Sequence, residues 1–407
     1  MRLVRAMVFT LKQLRQEDEV MKLRQQVTYE IPTRIEYGIG SIRKLPSLIE
    51  QLQGSKVLIV SDPGVQRAGV VDQVSQLLKQ TKLPYLLFTD IKADPDLSSV
   101  DGGLALARQE GCNLVIGIGG GSALDISKAI GIMLANPGHI RDYVGINKVS
   151  DQGAPVIAIP TTAGTGSEVT IWSVLSDREH KVKLSVGSTY NCPTIALLDP
   201  ELTLSLPASV TAATGMDALT HAIESYVNKA THPISEALAI HAMKLIAKSL
   251  RTAVAQGDHI EARADMLYAS LLAAMAFNST RLGLSHALAL PLGAHFHIPH
   301  GTVNAMLLPE VMEFNLIGNL PKYAEIAAIF GERTEGLSQR EAAMKSVDAI
   351  RRLKVDVGIT QTLTDYGVRE EHLTLIADEA MTSGNVLVNP RGATVEYLKA
   401  ICRQLMV

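Results

Sequence analysis

The sequence predicts two domains, an α/β domain with a parallel sheet covered by helices on both faces, then an all-helical domain. Two textures carry this prediction. From residue 27 to about 207, short β-branched apolar runs alternate with helical patterns. Beyond 207, stretches rich in Ala, Leu and Met keep helical periodicity and contain few strand-like runs. The length agrees: 407 residues, 47% hydrophobic and 19% charged, can bury a core without disulfides or metals as staples.

Residues 1–26 read as an extension. Lys12, Arg15 and the acidic Glu17, Asp18 and Glu19 cut short its apolar stretch, where a secretory leader needs a longer apolar core and a small-residue cleavage site. Within 27–206, strands are predicted over KVLIVSD (56–62), LPYLLFTD (83–90), NLVIGIGGG (113–121), PVIAIPTT (155–162) and TIALLDP (194–200), with helices over 66–79 and 100–110. Such continuous apolar runs suit a sheet buried on both faces, with ligands held beyond the carboxyl ends of the strands. Leu206-Pro207 marks the boundary, with Pro suited to a first helical turn. In 207–407, helices are predicted over 208–228, 234–255, 260–277 and 337–354.

Composition excludes several function classes. With 38 Lys and Arg against 41 Asp and Glu, a net charge of −3 offers no bulk attraction for nucleic acid or anionic lipid. No apolar run approaches the ~20 residues that cross a bilayer. Three separated cysteines, Cys112, Cys192 and Cys402, form neither a disulfide framework nor a CxxC knuckle, and fit a reducing cytoplasm.

Two loops point to a ligand. GIGGGSALDISK (117–128) follows an apolar strand and opens a helix, so its glycines admit a close ligand and its first N–H groups favour a phosphate. It lacks both the GxGxxG spacing and the P-loop ending, and a tight turn without ligand is the plainer reading. PTTAGTGSE (160–168) follows the next strand and offers donors with little bulk; its bland alternative is a surface loop. Two such loops at strand ends of one sheet favour a dinucleotide, in a Rossmann-like domain.

The helical half carries a different chemistry. Asp217 and His221, four apart in GMDALTHAIE, share one helix face. Four of the chain's 11 histidines, His286, His295, His297 and His300, fall within fifteen positions. A lone histidine on an apolar helix is more often a hydrogen-bonded core residue than a ligand, but this concentration suits a divalent ion such as Fe(II) or Zn, between which the residues do not choose.

Taken together, GGGSALDISKA, PTTAGTGSEVT, GMDALTHAIE, GLSHALALPLG with PHG, and the late VNPRGAT resemble the iron-containing (group III) alcohol dehydrogenases, the family of lactaldehyde reductases and 1,3-propanediol dehydrogenases, from about Tyr29 to the C-terminus. The resemblance implies the iron-type alcohol dehydrogenase, dehydroquinate synthase-like architecture and four metal ligands, Asp217, His221, His286 and His300. It places NAD contacts on Asp62, Gly119, Gly120, Gly121, Ser122, Asp125, Thr161, Thr162, Thr170 and Lys183, and a substrate pocket at Trp172 and Phe277. The implied reaction is interconversion of a short primary alcohol or diol with its aldehyde by hydride transfer, in a homodimer or larger homo-oligomer. Asp62, at a strand end, would accept from a ribose and repel a 2′-phosphate, so NAD is expected over NADP.

Two departures matter. Many relatives carry a further histidine four residues after the third ligand, where this chain has Leu290, and Trp172 replaces a smaller polar residue of lactaldehyde reductases. His297 is then a substitute proton relay, with His295 the weaker candidate, against the view that the metal acidifies the alcohol enough for water to take the proton. Glycerol dehydrogenase-like chemistry on the same fold and a non-catalytic binding protein are the alternatives.

Overall fold

The structure is a computed structural model and describes residues 26–91, 95–180 and 182–406; all but the last residue of the 1–26 extension lies outside them. Nine strands are present among these residues: β1 Arg34–Tyr37, β2 Val57–Ser61, β3 Tyr85–Phe88, β4 Leu114–Gly119, β5 Gly145–Ile146, β6 Val156–Pro160, β7 Trp172–Asp177, β8 Val182–Gly187 and β9 Ile195–Leu198. Between them run α1 Leu45–Gln51, α2 Pro63–Arg67, α3 Val70–Gln80, α4 Leu97–Glu110 and α5 Gly121–Met133. Ten helices follow: α6 Ala208–Val227, α7 Pro233–Ala255, α8 Ile260–Thr280, α9 Leu284–Phe296, α10 His300–Asn315, α11 Leu320–Ile329, α12 Gln339–Asp356, α13 Leu373–Met381, α14 Gly384–Val388 and α15 Val395–Gln404. No helix among the described residues is long and apolar enough to cross a membrane.

Six strands form a parallel sheet in the order β1-β9-β6-β4-β2-β3. Its central strands are apolar on both faces because both are covered. Leu58, Val60 and Val115 enter one core, while Val57, Ile59, Leu114, Ile116 and Ile118 enter the core on the opposite face. A third core fills the helical half and reaches across to Ala163, Val169, Ala196 and Leu198 of the α/β half. The last strand ends at Leu198 and the first long helix begins at Ala208, with Pro207 as its N-cap, one residue ahead of the first turn. Arg263 of α8 secures this junction, donating to Leu206 O at 3.0 Å and Thr211 Oγ1 at 2.7 Å.

Two features differ from the expectations. The helix expected over 66–79 is broken into α2 and α3 by Gly69, whose φ of 82° is left-handed. A second, three-stranded sheet, β5-β8-β7, contains the antiparallel pair β7 and β8, in which Trp172 faces Gly187 and Asp177 faces Val182. This sheet leans on α5 through Lys128, whose buried ammonium pairs with Asp125 at 3.1 Å and donates to Ser167 O, Thr170 Oγ1 and Trp172 O.

Beside that ammonium, Glu168 is fully buried and its Oε1 has no hydrogen-bond partner. Burial pushes its carboxyl up to about 7, with partial relief from its own backbone N–H and from Lys128. A folded-state value above the unfolded 4.5 means that the folded chain binds this proton more tightly, so the protonated group is harmless below pH 4.5 and destabilises increasingly as pH rises through about 7. Glu168→Gln should leave thermal stability at pH 5 nearly unchanged and raise it at pH 8, by ~1–3 kcal/mol. An equal shift in melting temperature at both pH values would contradict this assignment.

Candidate metal and dinucleotide site

Three neighbouring parallel strands, β2, β4 and β6, end at one edge of the large sheet and deliver Asp62, Gly119 and Thr161 there. Asp62 caps α2, its Oδ1 accepting from Gly64 N at 2.8 Å and Val65 N at 3.0 Å. Its Oδ2 lies against Gly119, where a Cβ would sit 3.2 Å from that oxygen and 2.9 Å from Ala123 Cβ. With a φ of 149°, Gly119 takes a backbone form that side chains disfavour. Thr162 and Thr165 stand over Gly120 and Gly121. Gly120 is the N-cap of α5 and brings no capping side chain, so the first turn of α5, with Ser122, opens onto this crevice. Strand ends, a helix N-terminus without a capping side chain and a carboxylate beside it are the features that can receive a dinucleotide.

The other residues expected to touch the cofactor divide. Lys183 lies on β8 beside α9, its Nζ 3.9 Å from the place of a Cβ on Gly293. Thr161 and Thr170 are buried, and Thr170 accepts from Lys128. The structure gives Asp125 a different task. Its Oδ1 accepts from Ser167 Oγ at 2.5 Å and pairs with Lys128, and its Oδ2 accepts from Val174 N at 2.9 Å, so both oxygens join α5 to the second loop and to β7.

The metal-type residues come from three helices. Asp217 and His221 project from one face of α6, His286 from the first turn of α9, and His300 opens α10. Asp217 Oδ1 lies 3.8 Å from His286 Nε2 and 3.7 Å from His300 Nε2, and the rings of His221 and His286 stack with centroids 4.6 Å apart. Donors on one ion with bonds of about 2.1 Å at tetrahedral angles stand ~3.4 Å apart, so this spacing fits a small divalent cation. Asp217, His221 and His286 are buried, whereas the His300 side chain is 37% exposed and marks the open side.

Protonation states suit the same purpose. Burial pushes His221 down to about 3, a neutral imidazole. Burial raises Asp217, but the neighbouring histidines and the Asn304 N–H outweigh it and hold the carboxyl below its usual range. Hydrogen bonds aim the rings. His221 Nδ1 lies 3.2 Å from Gly164 O and His286 Nδ1 lies 2.6 Å from Glu224 Oε2; with the hydrogen on each Nδ1, both Nε2 atoms keep a lone pair for the centre. Asn304, absent from the sequence expectations, brings Nδ2 within 2.7 Å of Asp217 Oδ1, 3.2 Å of His286 Nε2 and 3.1 Å of His300 Nε2. An electropositive N–H group thus stands where the ligand lone pairs converge, while its buried Oδ1 has no hydrogen-bond partner.

Phe277 of α8 lies against His221, with ring centroids 4.5 Å apart, and closes the apolar side of the centre. Trp172 sits differently: its indole packs over Gly187 of the paired strand and against the helical core. His295 turns to Glu379 of α13 at 2.9 Å, and His297 is exposed in left-handed backbone at the end of α9. The structure therefore brings Asp217, His221 and His286 together, with ligand atoms all within 4.8 Å of one another, sets His300 at their edge beside Asp217, and leaves the tentative relay His297 at the surface.

The comparisons agree with this geometry. Residues 32–200 match the iron-containing alcohol dehydrogenase model, and residues 211–406 match the C-terminal model of the Fe-containing alcohol dehydrogenase family. A 1,3-propanediol dehydrogenase from Klebsiella pneumoniae is 42% identical over 378 residues, 92% of this chain and 98% of that protein. An NAD-dependent methanol dehydrogenase from Bacillus methanolicus is 40% identical, covering 92% of this chain and 99% of its own. The crystal structure of a 1,3-propanediol oxidoreductase superposes with a TM-score of 0.91 at 42% identity, covering 94% of this chain and all of that one. Fold, centre and similarity converge: the chain belongs to the iron-containing alcohol dehydrogenase family, as an NAD-dependent oxidoreductase.

Proposed function

We propose that this enzyme interconverts short primary alcohols or diols and their aldehydes, with one divalent ion, Fe(II) in its native state and replaceable by Zn, held by Asp217, His221, His286 and His300. The observation that carries the proposal is the convergence of these four side chains beside a dinucleotide crevice, joined to it by the His221–Gly164 hydrogen bond. When bound, the ion supplies Lewis acidity to the alcohol or aldehyde oxygen, and NAD(H) supplies the hydride chemistry. The chain supplies position. The α5 N-terminus with Gly119, Gly120, Gly121 and Ser122 receives the pyrophosphate, Asp62 accepts from the adenosine ribose, and Thr161, Thr162, Thr170 and Lys183 line the path to the centre. Phe277 and the apolar flank of α8 keep water from the buried ligands, while His300 leaves the open side to a small substrate.

Three free cysteines support a reducing, cytoplasmic setting. Assembly into a homodimer or larger homo-oligomer is supported by β1, an edge strand followed by the exposed Ile39, a surface that a second copy can cover. Proton transfer belongs to solvent, because position 290 is Leu and His297 stands at the surface.

Chelated, metal-free chain should lose nearly all activity and regain it with Fe(II), Zn or Mn. His300→Ala should weaken zinc binding by more than about a hundredfold, since even partners outside the ligand shell cost 10–100-fold, while the melting temperature of the metal-free chain barely moves. Full turnover by chain shown to be metal-free by elemental analysis would refute the ion's role. Asp62→Gly should narrow the preference for NAD over NADP at least about tenfold in kcat/KM, because its carboxylate opposes a 2′-phosphate; equal use of both cofactors by the unmodified enzyme contradicts the assignment. His297→Ala, with metal content matched, should keep the wild-type kcat/KM and its ionisation near neutrality. A loss beyond about tenfold would make His297 the relay after all.

A further inference from the structure

Glu224 lies on α6 three residues beyond His221 and seven beyond Asp217, on the same helix face, and is fully buried. Its carboxylate is saturated by donors from the start of α9. Oε1 accepts from Ser285 N at 2.7 Å, and Oε2 accepts from Gly283 N at 2.9 Å and from His286 Nδ1 at 2.6 Å. Behind it, a Cβ on Gly283 would meet Glu224 Oε1 at 2.8 Å and Asn389 Oδ1 at 3.2 Å. Asn389, from the VNPRG segment, exchanges side-chain hydrogen bonds with Asn315 at 3.0 and 2.7 Å. Glu224 is thus wedged between a ligand histidine and a rigid amide pair, with room only for glycine at 283.

Charge gives the arrangement a second meaning. Asp217 faces three imidazoles and Asn304, and Glu224 faces two backbone N–H groups and an imidazole, none of them a lysine or arginine. Both carboxylates are buried and none of these partners is a lysine or arginine, so the cluster is rich in acceptors and suits a cation.

We propose that Glu224 is the positioning residue of the metal centre: held by Gly283 N, Ser285 N and the close fit of Gly283, it keeps the His286 hydrogen on Nδ1, so that Nε2 faces the ion. This rests on the four-residue metal site proposed above. Neither the ligand spacing nor the ligand set requires Glu224, because it does not face the ion itself.

The test measures zinc affinity on metal-free chain by competition with a chromophoric chelator, with NADH titration as the check that the fold is intact. Wild-type chain should take up one zinc. Glu224→Gln keeps shape but removes the charge and one of the acceptor positions, and should weaken zinc binding about 10–100-fold with NADH affinity unchanged. Gly283→Ala removes no polar group yet displaces the Glu224 carboxylate, and should weaken zinc binding in the same direction, a readout that survives if Glu224→Gln fails to fold. Cobalt(II) absorption should shift in both variants, because the His286 donor is reoriented. Zinc affinity within about twofold of wild type in a folded variant, with an unchanged cobalt spectrum, overturns the role of Glu224 alone. Wild-type chain that binds no stoichiometric zinc overturns the metal site and, with it, this role.

Discussion

One carboxylate and three imidazoles meet where α6, α9 and α10 approach, a second carboxylate stands behind one of the imidazoles, and the rest of the structure answers to that concentration of electron density. Gathering Asp217 and Glu224 out of water is costly by itself, because an unpaired buried charge in a low-dielectric interior loses far more solvation than its neighbours return. Backbone N–H groups at the start of α9 and the Asn304 amide offset part of this, and a divalent cation is the natural remainder. The helical core lies beside this polar centre, with Gly215 and Gly301 of α6 and α10 where a Cβ would collide with a neighbouring helix.

That centre is also where the two halves of the chain are held in register. Gly164, in the second crevice loop, packs so closely on Thr214 of α6 that a Cβ would come within 2.7 Å of it, and its carbonyl orients His221. The same loop is fastened on its other side by Lys128 and Asp125 of α5, the helix whose N-terminus faces the crevice. The backbone of this loop and the His221 imidazole thus share one short connection. Hydride transfer needs its two carbons closely aligned, and a direct link between the two proposed ligand sites is a physical means to that end.

Much of this was legible before any coordinates. The parallel sheet followed from unbroken apolar runs, because strands covered on both faces have no polar side to show. Asp217 and His221 stood out by their i, i+4 spacing, but the dense run of histidines did not single out His286 and His300, which only the resemblance to the family implied. Glu224 and Asn304 carried the same kind of signal, at i+3 from His221 and i+4 from His300, but amide and carboxylate side chains on helices are too common for spacing alone to single them out. The β7–β8 pair was hidden because the residues that follow β7, Arg178, Glu179 and His180, lack the Gly or Asn that usually announces a hairpin. Asp125 was grouped with the glycine loop by adjacency in sequence, yet it lies within the first helical turns of α5, turned toward Lys128 and Ser167. Trp172 shows the same limit: a position in a motif says which wall a residue belongs to, and only packing against Gly187 and the helical core says which way its ring turns.

The central claim, that Asp217, His221, His286 and His300 together bind one divalent ion, is tested most directly by anomalous scattering at the zinc edge from crystals of the zinc-loaded chain. A single strong peak per chain is expected, with all four side chains as ligands at about 2.0–2.2 Å. A peak elsewhere, or one at this place that lacks Asp217 or His221 as a ligand, would contradict it.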